Sequence, residues 1–243
     1  PAPSAIAGPT GNTLDRGVGY TPYGEHFLFA CGMEVILANG EVLRTGMGSL
    51  PKSNTWQVFK WGYGPYLDGI FTQSNYGIVT KFGFWLMPAP PAFKPFVIQY
   101  ENEDDIVEIV ETIRPLRISG VIPNAIVIAH ALYEAPTKAK RSDYVTGPGA
   151  ITDEAVRQIM KDHKLGVWNV YAALYGTQEQ IDVNWKIVTD AFSKSGKAKI
   201  HTEEEAGDDP AFQYRAALMR GDMTLKEFSL YHWRGGGGSM WFA

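Results

Sequence analysis

Apolar positions along the chain follow two rhythms. Residues 27–37 are almost continuously apolar and rich in strand formers, residues 41–45 carry a second short run, and Asn39-Gly40 stands between them. Asn-Gly tolerates the positive φ of a tight turn, so a β-hairpin is expected. Residues 77–80 and 82–87 predict a buried strand pair or one long strand. From residue 93 strand and helix alternate. Residues 96–100, 126–129 and 167–174 read as strands. Residues 104–113 place Ile106, Ile109, Val110 and Ile113 at helical spacing. Thr152-Asp153-Glu154 opens a helix with a capping hydroxyl and acids suited to its dipole. Thr177-Gln178-Glu179-Gln180 is a capping box, followed on one face by Ile181, Trp185, Val188 and Phe192. The sum is an α+β fold, with strands covered on one side by helices. No internal repeat is visible, and Gly235 to Gly238 is the only low-complexity stretch.

Charge divides this pattern in two. Residues 1–92 hold five basic and five acidic residues, and the remaining 17 basic and 21 acidic ones follow, with Pro88-Ala89-Pro90-Pro91 between. Prolines favour an extended junction, so we expect domains at 1–92 and 93–243. The net charge of −4 without a basic patch argues against nucleic-acid binding. No apolar run approaches the ~20 residues of a membrane span. Cys31 is the only cysteine, so no internal disulfide forms; its apolar run, residues 28–33, marks it as a buried packing residue. The chain starts without Met and ends on Met240-Trp241-Phe242-Ala243, which reads as a strand cut short.

Familiar motifs are missing. Gly17-Val18-Gly19 runs into Tyr20-Thr21-Pro22 and does not fit the dinucleotide fingerprint. There is no phosphate-binding P-loop, the five histidines lack metal spacing, and His163 is expected on a solvated helix face. Two stretches carry unusual chemistry. Residues 11–26, GNTLDRGVGYTPYGEH, interleave glycines with Arg16, Tyr20 and Asp15, either to bring backbone close to a ligand or simply as a loop between strands. In residues 227–234, strand alternation puts Glu227, Ser229, Tyr231 and Trp233 on one face; an active face and a half-exposed strand both fit.

Read together, these stretches resemble the vanillyl-alcohol oxidase and p-cresol methylhydroxylase group of FAD enzymes. The resemblance runs over essentially the whole chain. Its carriers are residues 17–26, 31–35 and 45–48, Gly62-Tyr63-Gly64-Pro65, Asp68-Gly69, residues 75–80 and 85–88, Ile113-Arg114-Pro115-Leu116-Arg117 and Ala173-Leu174-Tyr175-Gly176. It implies that residues 1–92 are the second subdomain of a two-subdomain FAD-binding domain. Residues 93–243 would begin a cap, an antiparallel sheet covered by helices. The first FAD subdomain and the phenol-binding residues would lie outside this chain. FAD contacts are implied at Ser4, Gly11, Asn12, Arg16, Gly17, Gly19 and Tyr20, and at Gly77, Ile78 and Val79. Tyr231 falls on the tyrosine that carries FAD covalently in one branch, and Glu227 matches an active-site glutamate. The oxidase branch instead uses a histidine near Ser239 and an acid near Ser4, and it carries a long insertion in the loop at residues 49–60. Here residues 1–14 contain no acid, and that loop is short.

The implied activity is FAD-dependent oxidation and hydroxylation of 4-alkylphenols of the p-cresol, 4-ethylphenol or eugenol type. Hydride passes to flavin, water adds to a quinone methide, and electrons leave to a small c-type cytochrome subunit. The alternatives are an oxygen-using 4-alkylphenol oxidase of the same fold, and an inactive structural fragment. The resemblance further implies a flavoprotein homodimer and a bacterial periplasmic location, with the cytoplasm left open.

Overall fold

Backbone pairing follows the turn chemistry. In the computed structural model, which describes residues 8–224, 226 and 233, helix α1 (Pro9–Leu14) precedes strands β1 (Ala30–Leu37), β2 (Val42–Arg44) and β3 (Gly77–Phe84). The Asn39-Gly40 turn closes the β1–β2 hairpin. Gly40 takes φ +85°, the Gly40 N–H donates to Leu37 O, and the Leu37 N–H donates to Glu41 O. β3 lies antiparallel on the other edge of β1, giving the order β2-β1-β3, with Ile36 opposite both Val42 and Ile78. Two expectations need correcting. The first strand starts at Ala30 because His26–Phe29 forms a single 3₁₀ turn, with the carbonyls of Phe27 and Leu28 accepting from Lys60 Nζ. Residues 77–87 are one strand and its extension, and they are not buried. Ile78 is 71% and Leu86 75% exposed, because β3 is an edge strand against a small core of Met33, Val35 and Phe71.

The chain divides into two compact units, Pro1–Pro88 and Ala89–Ala243. The second unit holds β4 (Ala92–Tyr100), α2 (Ile106–Ile118), β5 (Val127–His130), α3 (Ala131–Glu134) and α4 (Asp153–His163). It continues with β6 (Trp168–Gly176), α5 (Gln178–Phe192), β7 (Lys199–Thr202), α6 (Glu203–Ala206) and α7 (Pro210–Arg220). The sheet is antiparallel in the order β5-β6-β4-β7. Period-two alternation sends Phe96, Ile98 and Tyr100 of β4, and Val170, Ala172 and Leu174 of β6, to one face. There they pack with Ile109, Ile113 and Leu116 of α2 and with Ile181, Val188 and Phe192 of α5. Pro95 lies just past Phe96, the end of the β7 pairing, where β4 has a strand on one side only.

The α+β class stands, but the helices are not confined to one face. Helix α7 packs on the opposite face of β4 and β6, and its Arg215 guanidinium lies 5.8 Å from the Tyr171 ring centre. Its sequence gave little warning, because an arginine occupies an interior position. His163 is half-buried rather than solvated: it ends α4 and shares a 2.8 Å hydrogen bond with the Tyr144 hydroxyl. Among the described residues no helix is long and apolar enough to cross a membrane.

Both expected caps form. Thr152 Oγ1 accepts from Ala155 N at 3.3 Å, and Thr177 and Gln180 bond reciprocally at 3.4 and 2.8 Å. Replacing Thr177 by Ala leaves the Gln180 N–H to water, while the backbone N–H of residue 177 keeps its bond to Gln180 Oε1. We expect T177A to lower stability by about 1 kcal/mol in urea unfolding, with an unchanged m-value. An unaltered midpoint would show that the box is not formed in solution.

Candidate functional site

The sequence-selected residues of the first unit gather in two tied turns. Gly11 and Asn12 lie in α1, and the chain reverses at Arg16, which takes φ +55°. The Gly17 N–H then donates to Asn12 O at 2.7 Å, and a Cβ at Gly17 would stand 2.4 Å from the Asn12 amide, so a larger residue there would have to displace that side chain. Residues 18–25 close a second turn through the Val18–Glu25 bridge, with the Gly19 N–H on Gly24 O at 2.7 Å. Tyr20 is half-buried in that turn. The Arg16 guanidinium donates to Thr72 Oγ1 at 3.0 and 3.2 Å, and the Gln73 N–H donates to Leu14 O at 2.9 Å. These bonds hold the first cluster against residues 69–73, just ahead of Gly77, Ile78 and Val79 at the start of β3. Ten of the twelve selected residues were proposed as FAD contacts in the first unit; of the nine described, six lie in these turns and three at the start of β3. Ser4, Glu227 and Tyr231 lie outside the described residues.

Can this surface hold a flat cofactor? Gly11 has open space where a Cβ would be, and β3 presents an exposed edge with no strand beside it among the described residues. Ile78 is exposed on that edge, so an apolar ring with hydrogen-bonding groups on its rim fits both the surface and the backbone. His26 Nδ1 donates to Asn12 Oδ1 at 2.5 Å, which pins the α1 turn to the 3₁₀ turn. Its Nε2 is buried without a partner, and burial pushes the ring pKa down to about 4, so the imidazole is neutral at pH 7.

A second cluster supports the first and escaped the sequence reading. Asp68 is 1% exposed, and its carboxylate accepts from the Gly32 N–H at 3.2 Å. Gly32 takes φ +69° and lies so close to the Trp56 indole that a Cβ would stand 2.6 Å from its Nε1. Lys60 Nζ donates to Leu28 O at 2.6 Å and lies 5.5–5.8 Å from the ring centres of Phe27, Trp61 and Tyr66. Burial lowers the Lys60 pKa, opposed by the charge of Asp68. Burial, then Asp68, pushes the Tyr66 phenol well above its usual range, which keeps it a proton donor. The signal was present in Cys31-Gly32, Gly62-Tyr63-Gly64-Pro65 and Asp68-Gly69, which carried resemblance without a role. Cys31 itself is buried and free, a packing residue.

In the second unit, Glu134 of α3 and Arg215 of α7 form an ion pair at 0% and 1% side-chain exposure, with Oε1 accepting from NH2 at 2.6 Å and Nε at 3.1 Å. The Tyr133, Tyr171 and Tyr214 rings surround the guanidinium at 4.9–5.8 Å. Nearby, Lys138 Nζ donates to His163 O at 2.8 Å and pairs with Asp209, the N-cap of α7. Trp233 packs against Ala131, Ala135, Ile159 and Leu165, and its indole N–H donates to Ala139 O at 2.8 Å.

Over these residues the fold is the α+β type of the FAD-binding oxidases, as the comparisons establish. The chain is 67% identical over all 243 residues to the 4-cresol dehydrogenase [hydroxylating] flavoprotein subunit of Pseudomonas putida, and spans 47% of that protein. A crystal structure of p-cresol methylhydroxylase with substrate bound matches 98% of the chain and 46% of its own chain, with a TM-score of 0.94 and 66% identity. The 4-ethylphenol oxidase of Gulosibacter chungangensis, solved as an isoeugenol complex, matches 97% of the chain and 46% of its own, with a TM-score of 0.92 and 39% identity. No family model matches the chain. Over the residues it spans, the chain is similar to p-cresol methylhydroxylase and to a 4-alkylphenol oxidase, and it spans about half the length of these relatives.

The neutral burial of His26 has a pH signature. Its folded pKa of about 4 lies below the unfolded value of 6.5, so its contribution is full above pH 6.5 and is lost as pH falls toward 4. Discounted for partial solvation, the loss is about 2 kcal/mol. His26→Gln keeps a donor for Asn12 and does not titrate. We therefore expect wild type to lose about 2 kcal/mol more than H26Q between pH 7 and pH 4 in urea unfolding. A pH-independent difference between the two proteins would refute the neutral burial of His26.

Proposed function

We propose that this chain forms part of an FAD-dependent 4-alkylphenol oxidoreductase that hydroxylates p-cresol-like substrates and passes electrons singly to a small c-type cytochrome. The observation that carries this reading is the 67% identity along the whole chain to a hydroxylating 4-cresol dehydrogenase flavoprotein. The chemistry FAD would supply when bound is acceptance of a hydride from the benzylic carbon, after which water would add to the quinone methide left by the phenol. Residues 1–92 would serve as the second FAD subdomain and residues 93–243 as the start of the cap. The tied turns at Gly11, Asn12, Arg16, Gly17, Gly19 and Tyr20 would meet the cofactor on one side, and the backbone of Gly77, Ile78 and Val79 would meet it along the β3 edge. Ser4 would flank them. Glu227 would orient the attacking water by accepting one of its protons in a hydrogen bond. Tyr231 would hold the flavin covalently through its phenol oxygen. A flavoprotein homodimer in the bacterial periplasm accords with the same reading.

A second reading, an oxygen-using 4-alkylphenol oxidase, is favoured by the fit to the 4-ethylphenol oxidase at 39% identity. The two differ in where reduced flavin delivers its electrons. The full-length protein, purified with any cytochrome partner, is reduced anaerobically with p-cresol and then mixed with oxygen or with cytochrome c in a stopped-flow instrument. The first reading expects fast reoxidation by cytochrome c and slow reoxidation by oxygen; fast reoxidation by oxygen alone would sink it. The absence of any flavin bleaching by p-cresol would sink both.

Tyr231→Phe removes only the oxygen and tests the attachment. Acid precipitation should retain flavin on the wild-type protein and release it from Y231F. Reduction of the variant by p-cresol should slow by about tenfold or more, as expected if a lowered flavin potential raises the barrier by about 1.4 kcal/mol. Complete release of flavin from wild type would show that Tyr231 carries none.

A further inference from the structure

We infer that His26 is a positioning residue for the cofactor: it holds the Asn12 carboxamide with its oxygen turned in and its NH2 left as a donor to an acceptor atom of FAD. The inference rests on the proposed FAD contact at Asn12 and adds a second residue behind it. An amide side chain is nearly symmetric in shape, and a half-turn about its last bond exchanges acceptor for donor. An unrestrained Asn12 would offer a ligand either group. Three contacts restrain it here. His26 Nδ1 lies 2.5 Å from Oδ1. The Asn12 backbone carbonyl accepts from the Gly17 N–H at 2.7 Å. Gly17 lies against the carboxamide, where a Cβ would come within 2.4 Å of Nδ2, and it places no side chain over that nitrogen. Nδ2 itself has no acceptor among the described residues.

The histidine ring decides the polarity of the pair. At pH 7 it is neutral and carries one proton. Nε2 is buried with no partner among the described residues. A proton there would make an orphaned buried N–H, which folded proteins rarely keep, whereas a spare lone pair is tolerated more often. The proton therefore sits on Nδ1, and the Asn12 atom that receives it is oxygen. The ring is anchored in turn, because it opens the 3₁₀ turn His26–Phe29, whose Phe27 and Leu28 carbonyls accept from Lys60 Nζ. A leucine of similar bulk would fill this space without stranding a nitrogen. What the histidine adds is the direction of one bond.

That direction matches the ligand. FAD presents acceptors along its length, in ring carbonyls and phosphate oxygens, so an outward NH2 pairs with it and an outward carbonyl repels it. Gly11, with open space where a Cβ would be, lies beside Asn12 in α1 and leaves room for the approach.

The test uses the full-length flavoprotein as apoprotein, titrated with FAD lacking the 8-methyl group so that binding stays reversible. Affinity is read from quenching of flavin fluorescence. At position 26, β-(4-thiazolyl)alanine keeps the five-membered ring, puts a bare lone pair at the Nδ1 position and a sulfur at the Nε2 position. It only accepts, so Asn12 must turn its NH2 inward and present its oxygen to the cofactor. The apoprotein keeps its internal hydrogen bond and its thermal midpoint, while the dissociation constant for the cofactor rises about fivefold, the factor for one hydrogen bond. A merely structural histidine would not separate the two readouts. His26→Asn, whose nitrogen takes the place of Nδ1, should bind within about twofold of wild type. Where the thiazolyl protein does not fold, H26N and H26D, alike in shape and opposite in what they offer Asn12, make the same comparison. In an Asn12→Ala background these substitutions should change nothing further. Wild-type affinity with thiazolylalanine or Asp at position 26 overturns the role of His26, as does an undiminished loss in the N12A background. Wild-type affinity in N12A alone removes the proposed contact at Asn12 as well.

Discussion

Arg215 lies inside the second unit at 1% exposure, and a guanidinium cannot lose its proton to escape burial. Among the described residues, Glu134, at 0% exposure, and the faces of three tyrosines compensate it. Burial disfavours the charge on Arg215, and the carboxylate of Glu134 outweighs that and holds the guanidinium protonated. Removing one partner of such a pair costs about 3–5 kcal/mol, far more than the pair gains over a hydrophobic substitute. The pair therefore acts as a constraint more than as a source of stability. It fixes α7 on α3, and through α3 it fixes the carbonyl that receives Trp233. Lys138 repeats the device beside it, buried to 5% and tied to the N-cap of α7. The placement of α7 depends on these charges keeping their partners.

What was legible in the sequence was local. The Asn39-Gly40 hairpin, the Thr152 and Thr177 caps and the apolar face of α5 each depend on residues a few positions apart, and all three appear. What failed depended on neighbours far along the chain. β3 and its extension looked buried because Ile78, Val79, Trp85 and Leu86 are apolar, yet at the sheet edge, paired among the described residues with β1 only, Ile78, Trp85 and Leu86 are exposed and just Val79 packs on the small core. α7 could not be assigned to the second face, since an interior arginine reads as surface until Glu134, far away in sequence, supplies its charge. The 3₁₀ turn at His26–Phe29 interrupted an apparent strand because Lys60 claims its carbonyls.

The candidate cofactor surface was legible for a different reason. The resemblance pointed to Gly17 and Gly77, and both prove to stand where a side chain would collide. Gly17 stands against Asn12, and a Cβ at Gly77 would meet Val35 at 2.5 Å. Asp68, Lys60 and Tyr66 carried no such expectation. Each is a common residue in a loop, and its role comes from burial and from carbonyls and rings that the fold brings to it. Resemblance pointed to their neighbourhood without giving a reason. The geometry supplies one: Asp68 holds Gly32 at the start of β1, and Lys60 holds the turn from which His26 reaches Asn12.

The backbone is nearly the same in a p-cresol methylhydroxylase and in a 4-ethylphenol oxidase, with TM-scores of 0.94 and 0.92. Over this half of the relatives' length the frame does not distinguish the two neighbours; what differs between them here is side chains placed on a shared frame, and identity drops from 66% to 39% while the fold stays. A choice between electron acceptors rests on small differences in activation barrier, since about 1.4 kcal/mol changes a rate tenfold. Differences of that size are within reach of one hydrogen bond or one buried charge. The residues that decide them need not move a strand, and so a comparison of folds alone passes over them.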